Sequence, residues 1–156
     1  MTAARPLCLG LALLAFAGST APAGAQTLDV LRGYGMIGTW SIDCAAAPSR
    51  ANWHVTYAPA PGGAVRVSYD RGADEVLGAA VDSAGRLTST TFRQRLRNDD
   101  PRWGAQNGNW CDVVSELIEG GVHSLSSTCS GGVQLIKDGK ILSNGAAAPI
   151  LKRCRD

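Results

Sequence analysis

The sequence predicts an all-β fold: an antiparallel up-and-down β-barrel of about eight or nine strands with two disulfides. Short segments in which apolar residues alternate with polar residues indicate strands that bury one face. The 19 glycines and only 2 methionines favour strands joined by tight turns over a helical bundle. Four of the five cysteines lie beyond residue 25, where the secretory signal described in the next paragraph would end. An even number of cysteines in an exported chain favours two disulfides. A β-sandwich is the alternative architecture.

The first 25 residues have the organisation of a cleavable secretory signal. Arg5 supplies a positive charge, residues 7–17 form an apolar run, and Ala23-Gly24-Ala25 matches a small-residue cleavage site. The apolar run is too short to cross a bilayer as a helix, which takes about 20 residues. We therefore expect a signal peptide over residues 1–25 and a single barrel domain over residues 26–156. That domain would have no integral membrane segment and would be periplasmic or secreted.

The mature chain is predicted to begin with a short helix that leads into the first strand. Residues 27–36 carry apolar residues at helical spacing, and glycines then interrupt the pattern. Residues 38–44 follow as the first strand, with Trp40 as a large apolar anchor.

The middle of the chain predicts two hairpins. Residues 52–57 and 64–70 alternate strictly between apolar and polar side chains, and a link rich in Pro and Gly joins them. Residues 75–82 and 86–92 flank Ser83-Ala84-Gly85, which we expect to be the turn of the second hairpin.

The cysteine spacing predicts both disulfides. A three-residue loop at residues 119–121 would join two strands and pair Ile118 with Val122. Counting back from that pair places Cys111 opposite Cys129, whereas a two-residue loop would send these side chains to opposite faces. The expected disulfides are therefore Cys111–Cys129 and Cys44–Cys154.

The C-terminal segment predicts a further hairpin and a closing strand. Asp138-Gly139 is a type I′ turn signal inside residues 133–144, and residues 150–153 form a last short strand before Cys154. A disulfide between the first and last strands suggests a sheet closed on itself, which also removes exposed edges.

Three aromatic residues are candidates for ligand binding because their alternation places them on the inner face of the barrel: Trp53, Tyr57 and Tyr69. A small barrel either fills its interior with side chains or holds one small ligand. An ordinary core filled by these aromatic rings is the alternative interpretation.

Two surface features are candidates for contact with a partner. Arg93, Arg95 and Arg97 alternate along one segment and would form a basic stripe that could meet an anionic ligand, a lipid headgroup or an acidic partner. The alternative is that they keep the strand soluble and discourage edge pairing. The polar segment 98–109 is a candidate functional loop, or a plain connection with Trp103 packed against the domain.

The sequence gives little support to catalysis or metal binding. His54 and His123 are the only histidines, and no nucleophile, zinc-protease or phosphate-loop motif accompanies them. Asp70, Asp74 and Glu75 could surround a calcium ion but lack the spacing of an EF-hand, so a charged turn is the simpler interpretation. We expect a protein that is not an enzyme and that has no metal and no cofactor.

A resemblance to a known family rests on Gly38-Thr39-Trp40 after a short entry helix, together with Lys152-Arg153 at the end of the chain. This arrangement resembles the calycin pattern of lipocalins and avidins. In lipocalins the first-strand Trp packs across the base of the barrel near a basic residue of the last strand. The resemblance implies these roles for Trp40 and Arg153 or Lys152.

Several functions are compatible with these features. Without Arg5 the chain carries 14 basic and 13 acidic residues, so its charge gives no reason to expect nucleic acid as a partner. The first hypothesis is an exported, non-enzymatic barrel that binds a small apolar or amphipathic ligand. The alternative is a protein-binding module, such as a periplasmic protease inhibitor that uses residues 26–36 as an arm. A structural envelope protein is a third possibility.

Overall fold

A computed structural model of the chain describes residues 23–154, so the expected signal peptide lies almost entirely outside the described residues. One helix, α1 (Ala23–Gly33), precedes ten strands, and the all-β prediction is confirmed. The strands are β1 (Gly38–Ser41), β2 (His54–Pro59), β3 (Val65–Asp70), β4 (Val76–Arg86), β5 (Thr91–Asn98), β6 (Trp110–Ile118), β7 (Gly121–Cys129), β8 (Val133–Lys137), β9 (Lys140–Ile141) and β10 (Lys152–Arg153).

The ten strands form one antiparallel sheet that curls into a half-barrel, with β10 and β9 as its edge strands. Each strand from β1 to β8 pairs with the next one in the chain, and β10 returns to pair with β1, where Trp40 lies opposite Arg153. Val122 of β7 and Leu151, the residue before β10, exchange two backbone hydrogen bonds of 2.9 and 2.8 Å. This bridge joins the two sides of the curled sheet, while β8 and β9 extend from the other end of β7.

The turn between β4 and β5 lies at residues 87–90, so the prediction of a turn at residues 83–85 was wrong. The hydroxyl group of Thr88 organises the observed turn, because its oxygen accepts hydrogen bonds from the backbone N–H groups of Thr90 and Thr91. Local side-chain bonds of this kind favour turns over continued strand. As a result β4 continues to Arg86.

The loop between β6 and β7 is shorter than predicted, although the disulfide that was inferred from its length is present. Ile118 pairs with Gly121, so the loop has two residues and not three. On its own this loop would set the cysteines out of register. A β-bulge that leaves Leu125 unpaired shifts the register by one residue and brings Cys111 opposite Cys129.

Helix α1 covers one end of the barrel. It packs against β3, β4 and the connection between β2 and β3. Leu31 is fully buried, and the ring of Tyr34 lies 4.8 Å from the ring of Phe92, centroid to centroid. The Tyr34 hydroxyl group donates to the carbonyl oxygen of Thr88, at 2.5 Å, which fixes the helix to the β4–β5 turn. The helix is therefore part of the core, and it begins at Ala23 and ends at Gly33, whereas the short predicted helix covered residues 27–36.

Both predicted disulfides are confirmed: Cys44 is bonded to Cys154 and Cys111 to Cys129. The first ties the segment after β1 to the residue after β10, and the second crosses between β6 and β7. Two disulfides in a chain of this size are typical of an oxidising, extracellular-type environment. Within residues 23–154 no helix has the length and apolar character needed to span a bilayer.

Candidate functional site

The curled sheet encloses a cavity of about 390 Å³ that is partly open to solvent. This volume falls within the range of small-molecule sites, about 300–1,000 Å³. The wall combines aromatic, aliphatic and uncharged polar side chains from β1–β3, from β5–β8 and from the segment before β10. Its lining side chains include Trp53, Tyr57, Tyr69, Gln94, Trp103, Ser115, His123 and Ser127.

An aromatic group lines one side of this cavity. The ring of Tyr69 meets the ring of Trp53 edge to face, with 6.1 Å between centroids, and the ring of Trp103 in the same way at 5.8 Å. Trp53 donates its indole N–H to the carbonyl oxygen of Arg50, and Trp103 donates to that of Gly78, both at 2.7 Å. Because backbone carbonyls hold both indole donors, what these residues present to a ligand is their apolar ring surface.

The loop after β5 is anchored so that Trp103 reaches the cavity. Asp100 accepts hydrogen bonds from the backbone N–H groups of Arg102 (3.0 Å) and Gly78 (3.1 Å), and Trp103 donates to the carbonyl oxygen of Gly78. The Arg102 guanidinium beside Asp100 holds the pKa of that carboxyl well below its usual range. The segment 98–109 is thus a packed connection, and Trp103 is its contribution to the cavity.

A neutral polar pair lies deeper in the same cavity. The Gln94 side-chain amide nitrogen donates to the Tyr57 hydroxyl oxygen at 2.9 Å, and both side chains are buried. Gln94 Oε1 is buried without a hydrogen-bond partner among the described residues. Burial raises the pKa of Tyr57 to about 12, and burial together with the neighbouring Tyr57 raises the pKa of Tyr69 as well. Both phenols are therefore uncharged at neutral pH.

Because the two phenols are buried, we expect the folded protein to become less stable at alkaline pH. A tyrosine whose pKa is higher in the folded state stabilises the fold below its unfolded pKa of about 10, and this contribution falls as pH rises toward 12. We expect the free energy of unfolding to decrease between about pH 10 and 12, and Tyr57→Phe to make that decrease smaller. Urea unfolding at several pH values measures this. An identical pH dependence in the variant would contradict the role of Tyr57.

The structure brings all three candidate ligand-binding residues, Trp53, Tyr57 and Tyr69, to the wall of one cavity. The sequence reasoning missed Gln94, although its position between Phe92 and Leu96 on the inner period of β5 was a signal that could have found it. It also missed Ser115 and Ser127, whose positions depend on the bulge in β7, a feature that no local pattern indicates.

The candidate basic stripe is mostly paired with carboxylates. Arg95 forms a bidentate ion pair with Asp112, at 2.9 and 2.6 Å, and its guanidinium stacks on Trp110 at 4.2 Å from the ring centroid. Arg97 contacts Asp82 at 2.9 Å. Arg93 is exposed and has no ion pair within the part of the chain that the structure describes. Only one of the three charges is thus left for an anionic partner.

The histidines do not form a recognisable catalytic group. His123 lines the cavity, with its Nε2 atom 3.5 Å from a carboxylate oxygen of Glu116. His54 lies apart, with its Nε2 atom 3.1 Å from the carbonyl oxygen of Ala46. Across residues 23–154 no three His, Cys, Asp or Glu side chains come together as a metal site would require.

The acidic turn after β3 is held by internal contacts. Asp70 accepts a hydrogen bond from the backbone N–H of Gly72 at 2.9 Å, and Glu75 forms ion pairs with Arg50 and Arg71 at 3.2 and 3.0 Å. These contacts give the carboxylates of Asp70 and Glu75 a structural role.

No protein-family model, curated protein or solved structure matches this chain.

Proposed function

We propose that this protein is an exported, non-enzymatic binding protein that holds one small, neutral, amphipathic molecule in the cavity of its barrel. The observation that carries the proposal is the composition of the cavity wall. It places the aromatic surfaces of Trp53, Tyr69 and Trp103 on one side of a space of about 390 Å³ and the Tyr57–Gln94 pair within the same space. A few polar groups in a mainly apolar wall are typical of ligand sites.

The wall also favours an uncharged ligand. Among the described residues, none that lines the cavity is Lys, Arg, Asp or Glu, and His123 is the only nitrogen base. Moving a charged group from water into such a space without an opposite charge is costly. A molecule with a flat or aliphatic body and one or two hydrogen-bonding groups would contact both the aromatic rings and the Tyr57–Gln94 pair.

Export is supported by the composition of residues 1–25 and by the two disulfides, and it gives a periplasmic or secreted location. Trp40 and Arg153, the positions that carry the resemblance to lipocalins and avidins, pair directly across β1 and β10. Arg153 also donates to the carbonyl oxygen of Ile37 at 3.0 Å. This geometry suits a calycin-like barrel.

The ligand-binding function is favoured over a protease inhibitor by the position of the N-terminal segment. Residues 26–36, the expected inhibitory arm, lie in α1 and the turn after it, and their apolar side chains Leu28, Leu31, Tyr34 and Met36 belong to the core. Deleting this segment would therefore open the core and would not leave an intact barrel. Ligand binding is also favoured over a purely structural envelope role, because such a role would give the cavity no function.

The proposal is tested by filling the cavity. Ser127 and Ser126 are neighbours on β7, but only Ser127 lines the cavity. Ser127→Phe should weaken binding of N-phenyl-1-naphthylamine, a neutral aromatic fluorescent probe, by about fivefold or more, because the added ring occupies space in the cavity and forcing extra atoms into a filled space costs about 1–3 kcal/mol. Ser126→Phe adds the same side chain outside the cavity and should leave the affinity unchanged.

Fluorescence titration of the three proteins, after circular dichroism shows that each is folded, gives the answer. Equal affinities for the wild-type protein and Ser127→Phe would contradict binding in the cavity. Absence of saturable binding by the wild-type protein would also count against it.

A further inference from the structure

The β8–β9 hairpin exposes large apolar side chains that the core does not use. Val133, Leu135 and Leu142 are 55%, 48% and 50% exposed, and among the other large apolar residues that the structure describes only Leu87, also 48% exposed, is as accessible as Leu135. Leu142 donates its backbone N–H to the carbonyl oxygen of Leu135 at 2.9 Å, so these two leucines are neighbours. Clustered exposed apolar residues are typical of a contact surface.

Alternation along the hairpin places lysines beside the leucines. Ile136 pairs with Ile141, and both are partly buried on the inner side. The residues on either side of them are all exposed and form what we call the outer hairpin face: Leu135, Lys137, Lys140 and Leu142.

The lysines of this face take part in no ion pair within residues 23–154. The chain has only three lysines, Lys137, Lys140 and Lys152, and all of them lie in its last 20 residues. None forms an ion pair within the described range, whereas six arginines elsewhere do so. Residues 130–154 carry four basic side chains and one acidic side chain, Asp138.

The two hairpin lysines also face each other. Lys137 lies directly opposite Lys140 in the β8–β9 ladder. Like charges in this position repel each other and destabilise a hairpin. An external anionic surface would remove that repulsion, and it would meet the leucines at the same time.

We infer that the outer hairpin face, together with Val133, docks this protein on the surface of an anionic lipid bilayer. Lysines that meet lipid headgroups while neighbouring apolar side chains enter the interface are the recurrent chemistry of such surfaces. A second copy of the chain is a poorer occupant, because a symmetric contact would bring identical lysines together. The inference does not depend on the proposed ligand.

The β8–β9 hairpin lies beside the cavity, although the docking inference does not require a ligand there. Ile136, on the inner side of the hairpin, lines the cavity. A bilayer in contact with the outer hairpin face would therefore lie next to one side of the cavity.

Sedimentation with vesicles tests the inference. The wild-type protein should bind vesicles that contain phosphatidylglycerol and bind phosphatidylcholine vesicles much more weakly, with an affinity that falls as salt is added. Lys137→Gln with Lys140→Gln should weaken binding to the anionic vesicles by about thirtyfold, because each basic residue near such a surface contributes about 1 kcal/mol. Leu135→Ser with Leu142→Ser should weaken it as well.

A matched control removes the same charge elsewhere. Arg32 and Arg93 are exposed and outside the hairpin, so Arg32→Gln with Arg93→Gln should change binding by less than about threefold. Equal losses in this control and in the lysine variant would overturn the inference, as would equal binding to neutral and anionic vesicles. Absence of vesicle binding would do the same, and so would a concentration-dependent dimer that is lost on Leu135→Ser with Leu142→Ser.

Discussion

Replacing Cys44 and Cys154 together by serine is expected to lower the free energy of unfolding by about 4–5 kcal/mol. The two cysteines are 110 residues apart, and a cross-link that closes so long a loop strongly restricts the unfolded chain. In the folded protein the bond also holds β10, a strand of two residues, against β1. Urea unfolding under oxidising conditions measures the loss.

The second disulfide provides the control for this prediction. Cys111 and Cys129 are 18 residues apart, so replacing both by serine should cost less, about 3 kcal/mol in the same chain-entropy model. A Cys44/Cys154 variant as stable as the wild-type protein, or clearly more stable than the Cys111/Cys129 variant, would contradict the role given to the long loop.

Phe92→Ala is expected to lower the free energy of unfolding by about 3–5 kcal/mol, the usual range for a large buried aromatic residue. Phe92 is fully buried in the same core cluster as Leu31, and its ring packs against Tyr34. The substitution would leave a cavity between α1 and β5, which the surrounding strands cannot fill completely. Thermal and urea unfolding measure the effect.

Leu87→Ala is the matched control because Leu87 lies in the adjacent β4–β5 turn and is 48% exposed. It should change the free energy of unfolding by less than about 0.5 kcal/mol. If Phe92→Ala were no more destabilising than Leu87→Ala, α1 would not be packed into the barrel as described.

Much of the fold follows from local patterns in the sequence. Strict alternation placed the β2–β3 hairpin, and the Asp138-Gly139 turn signal placed the β8–β9 hairpin with Lys137 opposite Lys140. The even number of cysteines predicted two disulfides, and the bond between Cys44 and Cys154 agrees with the observed pairing of β1 with β10, although the sheet is a half-barrel with two edge strands. These features depend on the order of residues within one or two strands.

Other features depend on contacts between distant parts of the chain. The bulge at Leu125 restores the register of the cysteines, yet no glycine or proline marks it. The packing of α1 over the barrel end depends on contacts with β4 and with Phe92. For the same reason the alternation of Trp53, Tyr57 and Tyr69 showed that they point inward, but not that a cavity remained between them.

The most direct test of a ligand-binding barrel is native mass spectrometry of the protein purified without denaturation from the organism that makes it. The wild-type protein should carry the added mass of one small molecule, Ser127→Phe should lack that mass, and Ser126→Phe should retain it. Wild-type protein found only at the mass of the bare chain, less the four hydrogens of two disulfides, would contradict the proposed occupancy of the cavity.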